Sequence, residues 1–562
     1  MDRRTFLRRG LAAAAGTGLL SCSEPASAAP AQPGAGPYGS IEGRTPDTNG
    51  FLLPEGFTSR VVAVSGDPVG DTDHWWHLFP SAAATFPDGE GGWYLTSNSD
   101  IPNYLTPDEA WGGASSIHFD NDGSIIGAYP VLAWSHSNSG GAPTPWGTWL
   151  SCEADFFGAG RIWECDPSGV RLPQAREAMG LRNHGGAAVD PVGEAVYLTE
   201  DHRFGRLYRY TPEAWPDLSS GTLEAMAVTE GGSVSWREVA DPLEATGPAR
   251  QQVPDAFTTP AGKGCWYHQG WVFFATQFDN RVHAVDLVAG RHELLWDGFG
   301  GRQPLTGIDD LTVDQWTGDL YVAETAGDLE LVIVSTEGEV APFCRIADPA
   351  HELSAVTGPC FDPVGRRLYL SSQRGPGKRL VRDIIPAIDW GSGPPGRMGG
   401  VTYEITGPFR GHPTAAPTTT TTPTTTAAPT TTAAPTTTTT PTKPSLPVTT
   451  TAVPTTAVAT STAPMASTRM PATVAPPTVT TTAVPTTAVA TSTVPPATTT
   501  LARATGESMS SVDDRGSDWV VGIGAAAVAA LAVGTLAMRR RSSGGGVGND
   551  QGSSGPEPDE AP

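Results

Sequence analysis

Cys152 and Glu153 are the adjacent residues of this sequence best suited to bind a metal ion together. They lie in the stretch GTWLSCEADFFGAGRIWECDP, residues 147–167, after a run typical of a β-strand. Carboxylate oxygens suit hard cations such as calcium, and a thiolate among them adds affinity for iron or another transition metal. Cys165 lies in the same stretch, so a second hypothesis pairs Cys152 with Cys165 in a disulfide.

The number of cysteines favours the metal hypothesis. The chain has six, at positions 22, 152, 165, 265, 344 and 360. The first lies in an N-terminal segment where it is either removed or lipidated, which leaves an odd number in an oxidising compartment. The last four can form two disulfides with three connectivities, so Cys152 is the natural unpaired thiol and we expect Cys165 in a disulfide elsewhere.

A short strand pattern that recurs six times predicts the fold. The runs are WYLTSN, TWLSCE, VYLTED, VFFATQ, LYVAET and LYLSSQ, beginning at residues 93, 148, 196, 272, 320 and 368. Their spacing is close to 48 residues, apart from one interval of 76 that predicts an insertion around 211–260. A strand-rich repeat of this length is typical of a propeller blade. We predict an all-β, six-bladed β-propeller over 45–411; a β-sandwich, the alternative, does not require such even spacing.

Polar residues occupy equivalent ends of the six runs. Counted from the second residue of each run, the fourth positions are Ser97, Cys152, Glu200, Thr276, Glu324 and Ser372, and the fifth are Asn98, Glu153, Asp201, Gln277, Thr325 and Gln373. Blades converge on a central channel, so we expect these ends to meet there. A cation site is one interpretation of the carboxylates; the other is that they cap turns and line a solvated channel.

The N-terminus indicates export. The sequence MDRRTFLRRGLAAAAGTGLL has paired arginines followed by a short apolar run and resembles a twin-arginine export signal. We predict that residues 1–28 are a signal peptide. Cleavage follows either a lipoprotein-like box at Cys22 or the ASA sequence that ends at Ala28.

The C-terminal part predicts a stalk and a membrane anchor. Residues 412–518 consist largely of Thr, Pro and Ala, and TTTAVPTTAVATST occurs at both 449–462 and 480–493, a composition typical of a disordered, extended spacer. The next twenty residues, 519–538, carry no charge and are long enough to cross a bilayer as a transmembrane helix. Three arginines follow, which predicts that 539–562 is a cytoplasmic tail and that the propeller lies outside the cell.

Composition and motifs exclude several function classes. The formal charge of −24 argues against nucleic acid as a partner. The sequence has no Gly-rich phosphate loop, nucleophile elbow or HExxH zinc motif. The segment DHWWH, 73–77, resembles a two-histidine metal site, but we interpret it as a loop that packs its tryptophans.

Several longer motifs together resemble the PhoX-type alkaline phosphatases. They are WHLFPSAAATFPDGEGGWYLTSNS, GGASSIHFDNDG, GGAPTPWGTWLSCE, AAVDPVGEAVYLTED and GPCFDPVGRRLYLSSQR. The resemblance covers most of 56–374. It implies a β-propeller whose channel holds iron and calcium ions and hydrolyses phosphate esters.

The resemblance also implies roles for particular residues. Cys152 corresponds to an iron-binding cysteine, and Glu153 belongs to the same motif. Glu200 and Asp201 match an acidic pair, and Asp309 falls near another acidic position of the family. For phosphate contact the candidates are His184 and Arg374.

Two positions depart from the family pattern. Where the family pattern has glutamate after the histidine of RNHGGAAVD, this chain has Gly185, and where the pattern has Ser-Glu before TGPCFDP it has Ser354 and Ala355. Glycine and alanine have no side-chain ligand atom, so two acidic contributions are missing. Glu324 and Asp310 are the candidates that could replace them as metal ligands.

Two functions therefore remain open. The first is an exported, surface-anchored, metal-dependent phosphoesterase with a reduced metal site. The second is a catalytically inactive propeller that serves as a surface binding or adhesion module. The sequence identifies no protein partner for either.

Overall fold

Six sheets arranged as a ring, antiparallel except for one short edge strand, make up the part of the chain that this computed structural model describes, residues 29–102, 110–155, 159–325, 328–352, 354–377 and 399–412. All of these residues belong to one unit, Met1–Thr418. The predicted signal peptide and transmembrane helix, the cytoplasmic tail and nearly all of the stalk lie outside the described residues. Within them, no helix has the length and apolar character needed to cross a membrane.

Strands account for nearly all of the regular structure, because the sequence alternates short aromatic and β-branched runs with Gly-rich turns. A four-residue helix, α1, spans Ala249–Gln252, and two 3₁₀ turns span Glu177–Met179 and Pro349–His351. In chain order the strands are β1 (Gln32–Pro33), β2 (Phe51–Leu52), β3 (Thr58–Val64), β4 (Pro80–Pro87), β5 (Trp93–Ser99), β6 (Gly112–Phe119), β7 (Ile125–Ser135), β8 (Asn138–Pro143), β9 (Trp149–Glu153), β10 (Ile162–Cys165), β11 (Gln174–Ala175), β12 (His184–Asp190), β13 (Ala195–Glu200), β14 (Leu207–Ala214), β15 (Asp217–Val228), β16 (Val234–Glu238), β17 (Gly262–His268), β18 (Trp271–Thr276), β19 (Arg281–Asp286), β20 (Arg291–Asp297), β21 (Ile308–Val313), β22 (Leu320–Glu324), β23 (Glu330–Val334), β24 (Glu339–Ile346), β25 (Val356–Phe361), β26 (Arg367–Ser372) and β27 (Val401–Thr406).

The six sheets are the blades of a propeller, which confirms the predicted fold. Blade 1 contains β4–β7, blade 2 contains β8–β11, blade 3 contains β12–β16 and blade 4 contains β17–β20. Blade 5 contains β21–β24 with β1 and β2 at its outer edge, and blade 6 contains β25–β27 and β3. The predicted insertion is present as the long strands β14 and β15, the fifth strand β16 and α1, all in blade 3.

An N-terminal strand closes the ring. Strand β3 pairs antiparallel with β27, the last described strand, so the two ends of the propeller share blade 6. The first strands of the blades, β4, β8, β12, β17, β21 and β25, each contact the next and surround the central channel. The six repeated runs of the sequence are the second strands of the blades, one strand further from the axis.

The five described cysteines are all buried free thiols, which corrects the expectation of disulfides. Cys165, Cys265, Cys344 and Cys360 lie in four different hydrophobic clusters, each at a different blade. Side chains held in separate cores cannot reach the short Cβ separation that a disulfide requires. These cysteines therefore act as small core residues.

We expect the closing blade to be sensitive to core truncation. Ile405 of β27 is fully buried, whereas Val61 of the partner strand β3 is largely exposed. Ile405→Ala should lower the free energy of unfolding by about 2–5 kcal/mol, because it leaves a cavity. The matched control Val61→Ala should change it by no more than about 0.5 kcal/mol. Urea denaturation monitored by tryptophan fluorescence measures both, and equal effects would contradict the register of β3 on β27.

Candidate functional site at the mouth of the channel

The register of the blades gathers polar residues at one end of the channel, here called the mouth. In each blade the first strand begins where the second strand ends; for example, Ile308 is opposite Glu324 and Val356 is opposite Ser372. Residues near the start of a first strand or just after a second strand therefore lie at the mouth in every blade.

A β-bulge interrupts the first strand of every blade near the mouth. Each bulge gives the first strand one residue more than the second strand opposite it. Side chains of a regular strand stand perpendicular to the sheet, which in a propeller means toward the neighbouring blade, whereas a bulge redirects them. Lys263 lies within the bulge of blade 4, and Asp309 and Asp310 lie within that of blade 5.

Lys263 joins three blades at the mouth. Its ammonium Nζ lies 2.9 Å from Oδ2 of Asp201, which follows the second strand of blade 3, and 3.9 Å from Oδ1 of Asp309. All three side chains are mostly buried, with 15–20% of their surface exposed. Lys263 of blade 4 thus lies between a carboxylate of blade 3 and a carboxylate of blade 5.

Blades 1 and 6 add two further charges. Gln373 Nε2 lies 3.3 Å from Asp100 Oδ2, and the Gln373 amide oxygen accepts a hydrogen bond from Arg374. Arg374 Nη2 also lies 3.4 Å from the Thr325 hydroxyl. We call Asp100, Asp201, Lys263, Asp309 and Arg374 the charged cluster.

Three effects set the pKa values of the carboxyl groups at the mouth. Burial raises these pKa values, the nearby cations oppose the rise, and neighbouring carboxylates add to it. Burial raises the pKa of Asp100 to about 6, although Lys263 and Arg374 counteract part of the shift. Burial and the adjacent Asp309 raise the pKa of Asp310 to about 7. Burial disfavours the charged Lys263, but Asp201, Asp309 and Asp100 outweigh it and raise its pKa. These carboxylates therefore favour the charged form of Lys263.

Of the predicted site residues, the structure brings together Asp201, Asp309 and Arg374. Asp100 and Lys263 belong to the same cluster, and the sequence analysis missed both. Asp100 lies just beyond the repeated run of blade 1, so a window two residues longer could have found it. Lys263 had no comparable signal, because its position depends on the bulge of a first strand.

Glu153 is instead bound by protein donors between two blades. Its Oε1 accepts hydrogen bonds from Ser135 Oγ at 2.6 Å and Trp163 Nε1 at 2.9 Å, and its Oε2 accepts one from the Arg161 N–H at 2.7 Å. The side chain is almost fully buried. This carboxylate completes the packing of blade 2.

Glu200 and Glu324 are similarly occupied. Glu200 accepts a hydrogen bond from the Tyr208 hydroxyl at 2.8 Å and pairs with Arg250 at 2.8 Å. Glu324 accepts a hydrogen bond from the Thr306 N–H at 2.6 Å, and burial raises its pKa to about 8. Both residues end second strands, and both carboxylates are already bonded to groups of the protein.

The Cys152 thiol lies in a hydrophobic cluster with Leu150 and Ile162. It is fully buried, and burial together with neighbouring Glu153 raises its pKa. A thiol must lose its proton to act as a nucleophile or bind a metal. This environment favours the neutral thiol.

His184 is also fully buried, and its Nε2 lies 3.1 Å from the Gly180 carbonyl oxygen. Burial and the nearby Arg182 lower its pKa to about 3. Its neutral, enclosed ring does not favour the predicted phosphate contact.

Close backbone packing occupies the space beside Gly185. A Cβ at Gly185 would lie 1.8 Å from the Gly262 carbonyl oxygen, and one at Gly140 would lie 1.9 Å from the Gly185 carbonyl oxygen. The first strands of blades 2, 3 and 4 therefore approach too closely for any side chain at these positions. Glutamate at position 185 is incompatible with this spacing.

The implied iron and calcium ions do not fit the described residues. Within those ranges no group of three or more His, Cys, Asp and Glu side chains is placed to share an ion. The position between the carboxylates of Asp201 and Asp309 contains the Lys263 ammonium, which a divalent cation would have to displace.

These features define a six-bladed propeller with a polar, ion-paired mouth. Residues 124–264 match the family model of alkaline phosphatase PhoX. The fold is similar to that of Pseudomonas fluorescens PhoX in complex with vanadate, a transition-state analogue, with a TM-score of 0.50 and 15% identity over 64% of this chain and 96% of that one. The match over 124–264 supports the resemblance to the PhoX-type family that the sequence motifs indicate.

Other comparisons add no functional argument. A Bacteroides thetaiotaomicron protein of unknown function matches with 11% identity and a TM-score of 0.38, over 62% of this chain and 76% of that one. The calcium-binding protein regucalcin of Agrobacterium tumefaciens matches with 16% identity and a TM-score of 0.31, over 63% and 96%. No curated protein matches the chain.

We expect Glu153 to act in folding and not in metal binding. Glu153→Ala should lower the free energy of unfolding by about 3 kcal/mol, because it leaves four hydrogen-bond donors, among them the buried Ser135 hydroxyl, without their acceptor. The loss should be the same in EDTA and in calcium, and chelation should leave the melting temperature of the native protein unchanged. A native protein whose melting temperature falls in EDTA, with a variant that no longer responds, would support the metal-ligand role instead.

Proposed function

We propose that this protein is an exported, membrane-tethered member of the PhoX-type family that binds a ligand at the mouth of its propeller without hydrolysing phosphate esters. The observation that carries the proposal is the position of Lys263 between Asp201 and Asp309. At this position the Lys263 ammonium supplies the positive charge that bound cations would otherwise supply.

The electrostatic argument compares the ammonium with a free cation. A side chain already tethered at the site has a high effective concentration, so a divalent ion must compete with it. Entry of the ion would also leave Lys263 without its carboxylate partners, and an unpaired buried charge is costly. Both effects oppose metal binding at this position.

The remaining groups do not supply phosphoryl transfer by another route. Catalysis of that reaction depends on cations that stabilise the phosphoryl oxygens and on a positioned nucleophile. Lys263 is already paired with carboxylates, and the Cys152 thiol is enclosed in a hydrophobic cluster. The groups at the mouth are suited to hydrogen bonding.

The proposed location rests on the sequence of both chain ends. A twin-arginine-like signal precedes the propeller, and a Thr/Pro-rich stalk with an uncharged twenty-residue segment follows it. This order would hold the propeller away from the outer face of the membrane. Protease treatment of intact cells should then release the propeller.

The direct test uses the full-length protein purified from membranes. We expect no iron or calcium by elemental analysis, and no hydrolysis of 4-nitrophenyl phosphate or bis(4-nitrophenyl) phosphate when either metal is added. Hydrolysis that disappears in Cys152→Ser would overturn the proposal and establish a metal phosphoesterase.

A substitution at Lys263 tests the tethered-cation argument. Lys263→Ala should lower the free energy of unfolding by about 1–3 kcal/mol, since it leaves Asp201 and Asp309 uncompensated. Calcium should then recover part of the lost melting temperature in this variant but not in the native protein. Lys263→Arg, the matched control, should retain the native response. A native protein that calcium stabilises as strongly as the variant would contradict this role.

A further inference from the structure

Exposed aromatic side chains of the described residues are confined to the mouth end of the propeller. They are Trp75, Trp111, Trp134, Phe204, Phe278 and Phe299. Five of them lie in loops that connect a second strand to a third, or a fourth strand to the next first strand, at the mouth. Trp134 lies near the mouth end of β7, the fourth strand of blade 1. The loops at the opposite end expose aliphatic residues, among them Val192, Val288 and Val364.

Three of these residues lie in mouth loops that backbone hydrogen bonds attach to neighbouring strands and loops, and they are here called the phenylalanine rim: Phe204, Phe278 and Phe299. Their side chains are 49%, 68% and 71% exposed. Large apolar side chains grouped on one face of a soluble domain mark a binding surface.

Backbone hydrogen bonds connect the rim to Lys263. The Ala261 N–H donates to the His202 carbonyl oxygen at 2.8 Å, and the Ala261 carbonyl accepts from the Gln277 N–H at 2.9 Å. These two contacts hold the loops of Phe204 and Phe278 on either side of a residue only two positions from Lys263. The Phe299 loop is attached through the Gly298 N–H, which donates to the Asn280 carbonyl oxygen at 3.0 Å.

The charges beside the rim are largely compensated. Asp201 and Asp309 face Lys263 in the cluster. In the rim itself, the Arg203 guanidinium lies 4.8 Å from the Phe204 ring centre, and Arg281, 5.5 Å from the Phe299 ring centre, pairs with Asp279 and Asp297. The surface therefore offers both donors and acceptors without a large excess of either sign.

This combination favours a neutral, hydroxyl-rich ligand. A strongly charged ligand would have to separate existing ion pairs, and a lipid surface would bury their charges without replacing their hydrogen bonds. A sugar hydroxyl both donates and accepts, so it can bind the carboxylates and the cations while the pairs persist. The flat C–H faces of a sugar ring stack on exposed aromatic rings.

We propose that the mouth is a saccharide-binding site in which the phenylalanine rim stacks on sugar rings and the charged cluster binds their hydroxyl groups. This inference rests on the proposed non-hydrolytic binding function and specifies its ligand class. The location of the site at a proposed cell surface would make exposed glycan chains the available ligands.

The test uses the full-length protein in phosphatidylcholine nanodiscs, because a maltoside detergent would itself present sugar. Cellohexaose, chitohexaose, mannohexaose and arabinohexaose are titrated by isothermal calorimetry. We expect binding of at least one, and the triple variant Phe204→Ala, Phe278→Ala, Phe299→Ala should weaken it at least about tenfold, as loss of aromatic stacking does for nucleic-acid bases. The matched triple variant at the opposite end, Val192→Ala, Val288→Ala, Val364→Ala, should bind as the native protein does.

Three outcomes would overturn the inference. The first is failure of all four hexasaccharides to bind at millimolar concentration, and the second is binding that is the same in both triple variants. The third is rim-dependent binding to phosphatidylcholine vesicles without saccharide binding, which would assign the surface to a membrane. Hydrolysis of 4-nitrophenyl phosphate by the same preparation would contradict the proposed function and not the saccharide site, so the two failures are distinguishable.

Discussion

The bulge in each first strand is the constraint on which the mouth depends. An antiparallel sheet directs side chains to its two faces, and in this ring both faces pack against neighbouring blades. A channel bordered only by regular first strands would therefore be bordered mainly by backbone. One additional residue per first strand changes the direction of the chain at the mouth, and this change lets Lys263 and Asp309 contact charges from other blades.

Close backbone packing accompanies the bulges of blades 2 and 3. Gly140 and Gly185 permit carbonyl oxygens of adjacent first strands to approach within distances that exclude any Cβ. The mouth is consequently asymmetric: blades 2 and 3 contribute tightly packed glycine backbone, whereas blades 4 and 5 contribute charged side chains from their bulges.

The propeller itself was predictable because its signal is local and repeated. Six aromatic runs at nearly constant spacing identified the second strands, and the one long interval identified the enlarged blade 3. The contacts that the polar side chains at the strand ends make were not predictable in the same way. Glu153, Glu200 and Glu324 share with Asp201 a place at the end of a second strand, yet they bind donors within or between blades. Glu153 and Asp201 even hold the same position of the repeat, so equivalent positions did not ensure equivalent environments.

The sequence by itself determined the number of blades, the family resemblance and the absence of side-chain ligands at Gly185 and Ala355. The tertiary structure decided which charges meet. Lys263, Asp201 and Asp309 are separated by 46 residues or more along the chain, and only the convergence of blades 3, 4 and 5 brings them within ion-pairing distance. Likewise, each cysteine was visible in the sequence, but only the division of the core into separate clusters excludes disulfides between them. In both cases the deciding quantity is the distance between side chains of different blades. The strand hydrogen bonds of each blade are formed within that blade, so local sequence patterns do not encode the distance to another blade.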